Sequence, residues 1–149
     1  MAKKYLIALV LALAFLGLLD SWYLAQSAVS NSPIVCDIDG LNDCNTVAQS
    51  PYSKLLGIPL AVYGIVFYGA LILVSVMLLR LETRKLYQVH MAVAGIGALA
   101  SVYFIFVQMT LIRAFCIYCI ASAVISFVVL GLSLYLYRRF APQLPAVVP

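Results

Sequence analysis

Four apolar stretches, parted by short segments that hold nearly all of the charge, leave this chain few ways to fold. They run over about 5–28, 59–79, 86–110 and 115–137. Roughly 20 residues of apolar helix cross the hydrocarbon of a bilayer, and backbone in lipid must satisfy its own hydrogen bonds, so each stretch reads as a transmembrane helix. With 66% hydrophobic and 9% charged residues, the 149-residue chain has too little polar side chain to coat a soluble domain. The fold class is an all-α integral membrane protein, a four-transmembrane-helix bundle. A single membrane domain over 1–141 is expected, followed by a proline-rich, disordered tail over 142–149. Lys3 and Lys4 before an apolar run are also how a secretory signal opens, but this run outlasts the roughly 7–15 apolar residues of a signal core.

The basic residues orient the bundle. With the N-terminus cytoplasmic, Lys3, Lys4, Arg80, Arg84, Lys85, Arg138 and Arg139 lie inside and only Lys54 and Arg113 outside, seven against two. Both termini are then cytoplasmic. The net charge of +4 serves topology rather than an acidic partner, and no nucleic-acid binding is expected. All four cysteines fall on the extracytoplasmic side, where disulfides persist. Cys36 and Cys44 sit in the one extended polar loop, 29–58, with Asp37, Asp39 and Asp43; Cys116 and Cys119 open the fourth span.

Within that loop, Ser50-Pro51 starts and Gly57 stops a stretch of about two turns, which predicts a short interfacial helix over Pro51–Leu56 with Tyr52 and Leu55 dipping inward. Pro59 then opens the second span. In the third, Ala94, Gly97, Ala98 and Ser101 recur at helical spacing, a pattern for close helix packing. His90, the single histidine, reads as a satisfied core or interfacial residue rather than a metal ligand; Gln108 could donate to a ligand carbonyl or to another helix. Asp20 lies in the outer third of the first span, where snorkelling, pairing with a neighbouring helix or a functional use would each explain it.

The chemistry lies in Cys116-Ile117-Tyr118-Cys119. Thiols three apart on a helix share a face, with Cβ atoms roughly 5–6 Å apart, close enough to open and close a disulfide. A thiol in the first turn feels the positive end of the helix dipole, and Arg113 lies just upstream, so Cys116 is expected to ionise more readily. Four cysteines allow three pairings. Bridging Cys36 to Cys44 would close only a short ring, worth roughly 2.5 kcal/mol, too small a gain for a mere staple. Two thiol pairs on one side of a membrane suggest a relay in which an external dithiol reduces the loop pair, the loop pair reduces the helix pair, and the helix pair passes two electrons onward. No haem, flavin or nucleotide motif is present, and a membrane quinone, ubiquinone or menaquinone, fits as acceptor. Cys119, one turn deeper, is the thiol placed to face it. A soft-metal carrier and a bundle with two inert disulfides are the readings from other classes.

Val35-Cys36-Asp37-Ile38, Cys44, Ser50, Leu56-Gly57-Ile58-Pro59, Tyr63-Gly64 and Cys116-Ile117-Tyr118-Cys119, in that order, resemble the vitamin K epoxide reductase family. The resemblance implies that Cys36 and Cys44 shuttle electrons, that Cys44 exchanges with Cys116, and that Cys119 contacts the quinone. The DsbB family runs the same chemistry with the two pairs in the opposite order. Candidates for the quinone pocket are Ser50, Leu60, Tyr63, Phe67, Gln108 and Ala123. Vertebrate members carry asparagine where this chain has Leu60 and tyrosine where it has Ala123, which turns the expectation away from vitamin K epoxide. Many prokaryotic members carry a fused thioredoxin-like domain for which 149 residues leave no room. A separate DsbA-like, thioredoxin-fold protein is therefore the implied donor, disulfide formation in exported proteins the implied outcome, and a prokaryotic plasma membrane the implied location.

Overall fold

The computed structural model describes residues 2–36, 43–81 and 83–143. The apolar stretches form α1 (Ala2–Ser30), α3 (Leu60–Arg80), α4 (Arg84–Val107) and α5 (Ile117–Phe140), all long and apolar enough to cross a membrane, with a short helix α2 (Cys44–Gln49) between the first two. Each long helix begins or ends on a local signal. After α1, Asn31 turns left-handed at φ 51°, a conformation asparagine accepts more readily than most residues. Thr83 caps α4, its hydroxyl accepting from the Leu86 N–H at 3.4 Å. Arg80 and the pair Arg138 and Arg139 occupy the last turns of α3 and α5, where cations offset the exposed carbonyls.

α1 packs against α3 and α5, and α4 packs against the same two, so the helices close a ring with α1 and α4 on one diagonal. The core has three layers along the bundle. Ile7, Leu78, Tyr87, Leu136 and Ala141 fill the end that holds both termini. Val10, Ala14, Tyr68, Leu71, Ala94 and Val129 fill the middle. Ile34, Cys44 and Cys116 fill the far end.

Close approach is licensed by glycine: a β-carbon at Gly17 would run into the Tyr68 ring, and one at Gly97 into Phe67. Ala94, Gly97 and Ala98 all face the interior, as their spacing predicts. His90 is buried and satisfied by Ser75, 3.0 Å away. The Ser75 proton is committed to the Leu71 carbonyl, so His90 Nε2 is the donor. Outside, Phe15, Leu16, Trp22, Leu99, Val102 and Phe106 are exposed. Such a belt would aggregate in water and is what lipid solvates.

The segment between the first two spans differs from expectation. Pro51–Ser53 make a single 3-10 turn, and Lys54–Leu55 (β1) pairs antiparallel with Ile58–Pro59 (β2) in a minimal hairpin. Leu56 at φ 53° and Gly57 at φ 81° both take positive φ, the signature of a type I′ turn, so the chain reverses where a helix would have run on. The helix in this segment is α2 instead. Tyr52 and Leu55 stay on the surface of the chain. At the other end, Ala141–Gln143 add a 3-10 turn to α5, so the tail begins helical. Asp37, Asp39, Glu82 and positions 144–149 lie outside the described residues.

Candidate redox site

The site is assembled at the end of the bundle away from the termini. Beyond Asn31 the chain runs without regular structure over the helix ends, and side chains from three helices grip its backbone. Asn45 of α2 reads Ile34 on both sides, its Oδ1 accepting from Ile34 N–H at 2.8 Å and its Nδ2 donating to Ile34 O at 3.1 Å. Tyr23 of α1 accepts from Val35 N–H at 3.0 Å, while Tyr118 of α5 donates to Val35 O at 2.8 Å. The two tyrosine rings lie 5.2 Å apart. Three side chains thus fix the backbone immediately before Cys36. Cys36 is bonded to Cys44, with Cα atoms 6.2 Å apart.

Cys44 is fully buried and packs in one cluster with Cys116, which is 2% exposed. Cys36 keeps partial exposure. The disulfide therefore presents one sulfur to the outside and the other to the helix pair. Cys116 and Cys119 are free thiols.

The approach to Cys116 is not a plain turn. α4 widens into a π-helical turn, Gln108–Ile112, and Arg113 then takes a left-handed conformation at φ 55°. Gln108, at the head of that turn and buried, holds the return path twice: its backbone carbonyl accepts from Ala114 N–H at 3.3 Å and its Oε1 from Cys116 N–H at 3.1 Å. Cys116 is the N-cap of α5 rather than part of its first turn. The hydrogen bond with the Cys119 thiol holds the Cys116 thiol below the ordinary thiol range, against the opposing pull of burial. The direction matches expectation: the Cys119 thiol is the leading cause, and the backbone N–H groups of Cys119 and Tyr118 at the head of α5 add the expected pull of the helix N-terminus, whereas Arg113 is exposed and takes no part.

Beneath the pair, a cavity of about 1050 Å³ opens between the helices. Cys44, Cys116 and Cys119 line it, as do Ser50, Leu60, Tyr63, Phe67, Gln108 and Ala123. Three of these are already engaged by the scaffold. The Ser50 hydroxyl donates to Val47 O at 2.7 Å, closing α2; Tyr63 donates to Leu55 O at 3.1 Å, tying α3 to the hairpin; and Gln108 Oε1 holds Cys116. Leu60, Phe67 and Ala123 give the cavity apolar wall. Such a space, mostly apolar with polar side chains distributed along its wall, has room for a flat aromatic ring. Sequence reading missed the grip on the loop by Tyr23, Asn45 and Tyr118. Asn45 beside a cysteine and Tyr118 between two were the available signals.

Residues 8–134 match the vitamin K epoxide reductase family. The chain belongs to that family. It is 34% identical over 127 residues to the thiol-disulfide oxidoreductase LTO1 of Arabidopsis thaliana, a match covering 78% of this chain and 32% of that protein. The chain thus spans about a third of that relative's length. Family membership and four helices able to cross a bilayer make it a multi-pass membrane protein.

Proposed function

We propose that the chain is a membrane thiol:quinone oxidoreductase that keeps an extracytoplasmic, DsbA-like thioredoxin-fold partner oxidised and so sustains disulfide formation. The observation that carries this reading is the Cys36–Cys44 disulfide, with Cys44 buried against Cys116 at the mouth of the cavity. The partner's dithiol reduces that bond through the more exposed Cys36. Cys44 thiolate then attacks Cys116 in a Cys116–Cys119 disulfide and releases Cys119. Cys36 resolves the mixed bond, restoring Cys36–Cys44 and leaving two helix thiols.

The arrangement seen here, loop pair oxidised and helix pair reduced, corresponds to the end of that transfer. A quinone, ubiquinone or menaquinone, supplies a two-electron, two-proton sink. Leu60, Phe67 and Ala123 would hold its ring beside Cys119, and the helix pair closes to a disulfide as it gives up two electrons and two protons. The name of the LTO1 relative, a thiol-disulfide oxidoreductase, agrees with the first half of this scheme.

The test is quinone reduction by purified protein supplied with a reduced DsbA-like donor. Wild type should turn over, and alanine at any of the four cysteines should abolish turnover. Quinone reduction that survives Cys119→Ala would overturn the assigned roles.

A further inference from the structure

One half-buried acid has no part in the relay. Asp20 sits within the first span, and its Oδ2 is buried with no hydrogen-bond partner among the described residues. It lines the same cavity as Cys116 and Cys119. A carboxyl paired with a neighbouring helix would have a partner for that oxygen, and among the described residues it has none. The polar neighbours across the cavity satisfy one another instead. The Tyr68 hydroxyl donates to Ser122 O at 3.1 Å and lies 2.8 Å from its Oγ, and Ser126 donates to the same carbonyl at 3.0 Å. Lys54, the other charged residue lining the cavity, is exposed on the hairpin. A carboxyl oxygen left unpartnered inside a membrane is costly, and such groups mark proton paths.

We propose that Asp20 is the proton carrier of quinone reduction, giving a proton to the quinone oxygen that faces α1 and regaining one from the Cys119 thiol. The proposal rests on the thiol:quinone reading above. The step balances: a quinone and two thiols become a quinol and the Cys116–Cys119 disulfide. The two electrons leave the sulfurs and the two protons leave the S–H groups. Asp20 relays one of those protons and ends each cycle as it began. Its role is chemical rather than structural, since the surrounding hydroxyls are satisfied without it.

The experiment uses full-length protein in lipid nanodiscs with a short-chain ubiquinone as probe. Asp20→Asn, which keeps size and polarity but not the acid, should slow single-turnover quinone reduction by about a hundredfold, and Asp20→Glu should recover to within about tenfold of wild type. Independently of turnover, infrared difference spectra should show a carboxylic C=O band that moves when the quinone is added and is missing in Asp20→Asn. Electron transfer from the reduced loop pair to the helix pair, measured without quinone, should be unchanged. A rate within about twofold of wild type in Asp20→Asn, a quinone-sensitive band that persists in that variant, or joint loss of both transfer steps would overturn the assignment. A wild type that passes no electrons to the quinone would sink the oxidoreductase reading and Asp20's role together, whereas an unaffected Asp20→Asn beside an active wild type removes only the latter.

Discussion

Cys44 and Cys116 are buried side by side, while Cys36 keeps contact with the surface and Cys119 lines the cavity. A protein retaining only Cys44 and Cys116 should therefore close a disulfide between them under mild oxidant, and one retaining only Cys36 and Cys119 should not. Peptide mass mapping distinguishes the two. The ionisation of Cys116 makes a second prediction. A thiol is neutral below its pKa and a nucleophilic thiolate above it, so a lowered value extends reactivity to lower pH. Since the Cys119 hydrogen bond is the main cause of that lowering, Cys119→Ala should move the thiolate titration of Cys116 upward, an outcome read by ultraviolet absorbance across pH. An unmoved titration would assign the effect elsewhere.

Among the elements, the grip on residues 34 and 35 is what turns a loop cysteine pair into a positioned one. Tyr118→Phe deletes one exposed hydrogen bond to Val35 O and should cost stability no more than about 1 kcal/mol. It should nevertheless slow exchange between the loop and helix pairs while leaving quinone reduction by a chemically reduced helix pair unchanged, a split visible in single-turnover kinetics. Gln108→Leu acts at the other support. It strands the buried Cys116 N–H and should destabilise the fold by about 1–3 kcal/mol in denaturation, with Gln108→Glu, which keeps an acceptor oxygen, recovering most of the loss. The first support was hard to read from sequence because it joins a side chain to backbone eighty-three positions away, and the second because it depends on the π-helical turn and left-handed Arg113 that bring Cys116 back to Gln108. The long helices were legible, since lipid leaves an apolar run of that length little else to be. The helix expected over Pro51–Leu56 was not, because positive φ at Leu56, a conformation leucine rarely takes, joins Gly57 in deciding for a hairpin. The four cysteines and their order announced the family, and the resemblance singled out Leu60, Phe67 and Ala123, but the size of the cavity they share, and Asp20 on its wall, needed the packing of four helices.

For the molecule as a whole, an even number of spans and a lopsided distribution of basic residues determine which compartment the sulfur end meets. α1 and α4 finish, and α3 and α5 begin, at the end that carries all four cysteines; Arg80, Arg84, Arg138 and Arg139 lie at the other. Short basic segments are retained in the cytoplasm, so the sulfur end should face outward. The consequence is thermodynamic as well as topological: in a reducing cytosol the loop pair would meet a glutathione pool that keeps thiols reduced, and no net flow of electrons from exported proteins could pass through it. A membrane-impermeant maleimide, applied after mild reduction, should label Cys36 in cells stripped to their plasma membrane and fail to label it in inverted vesicles until detergent is added. Labelling with the opposite sidedness would place the loop pair in the cytoplasm and require a cytosolic electron donor in place of a thioredoxin-fold partner outside.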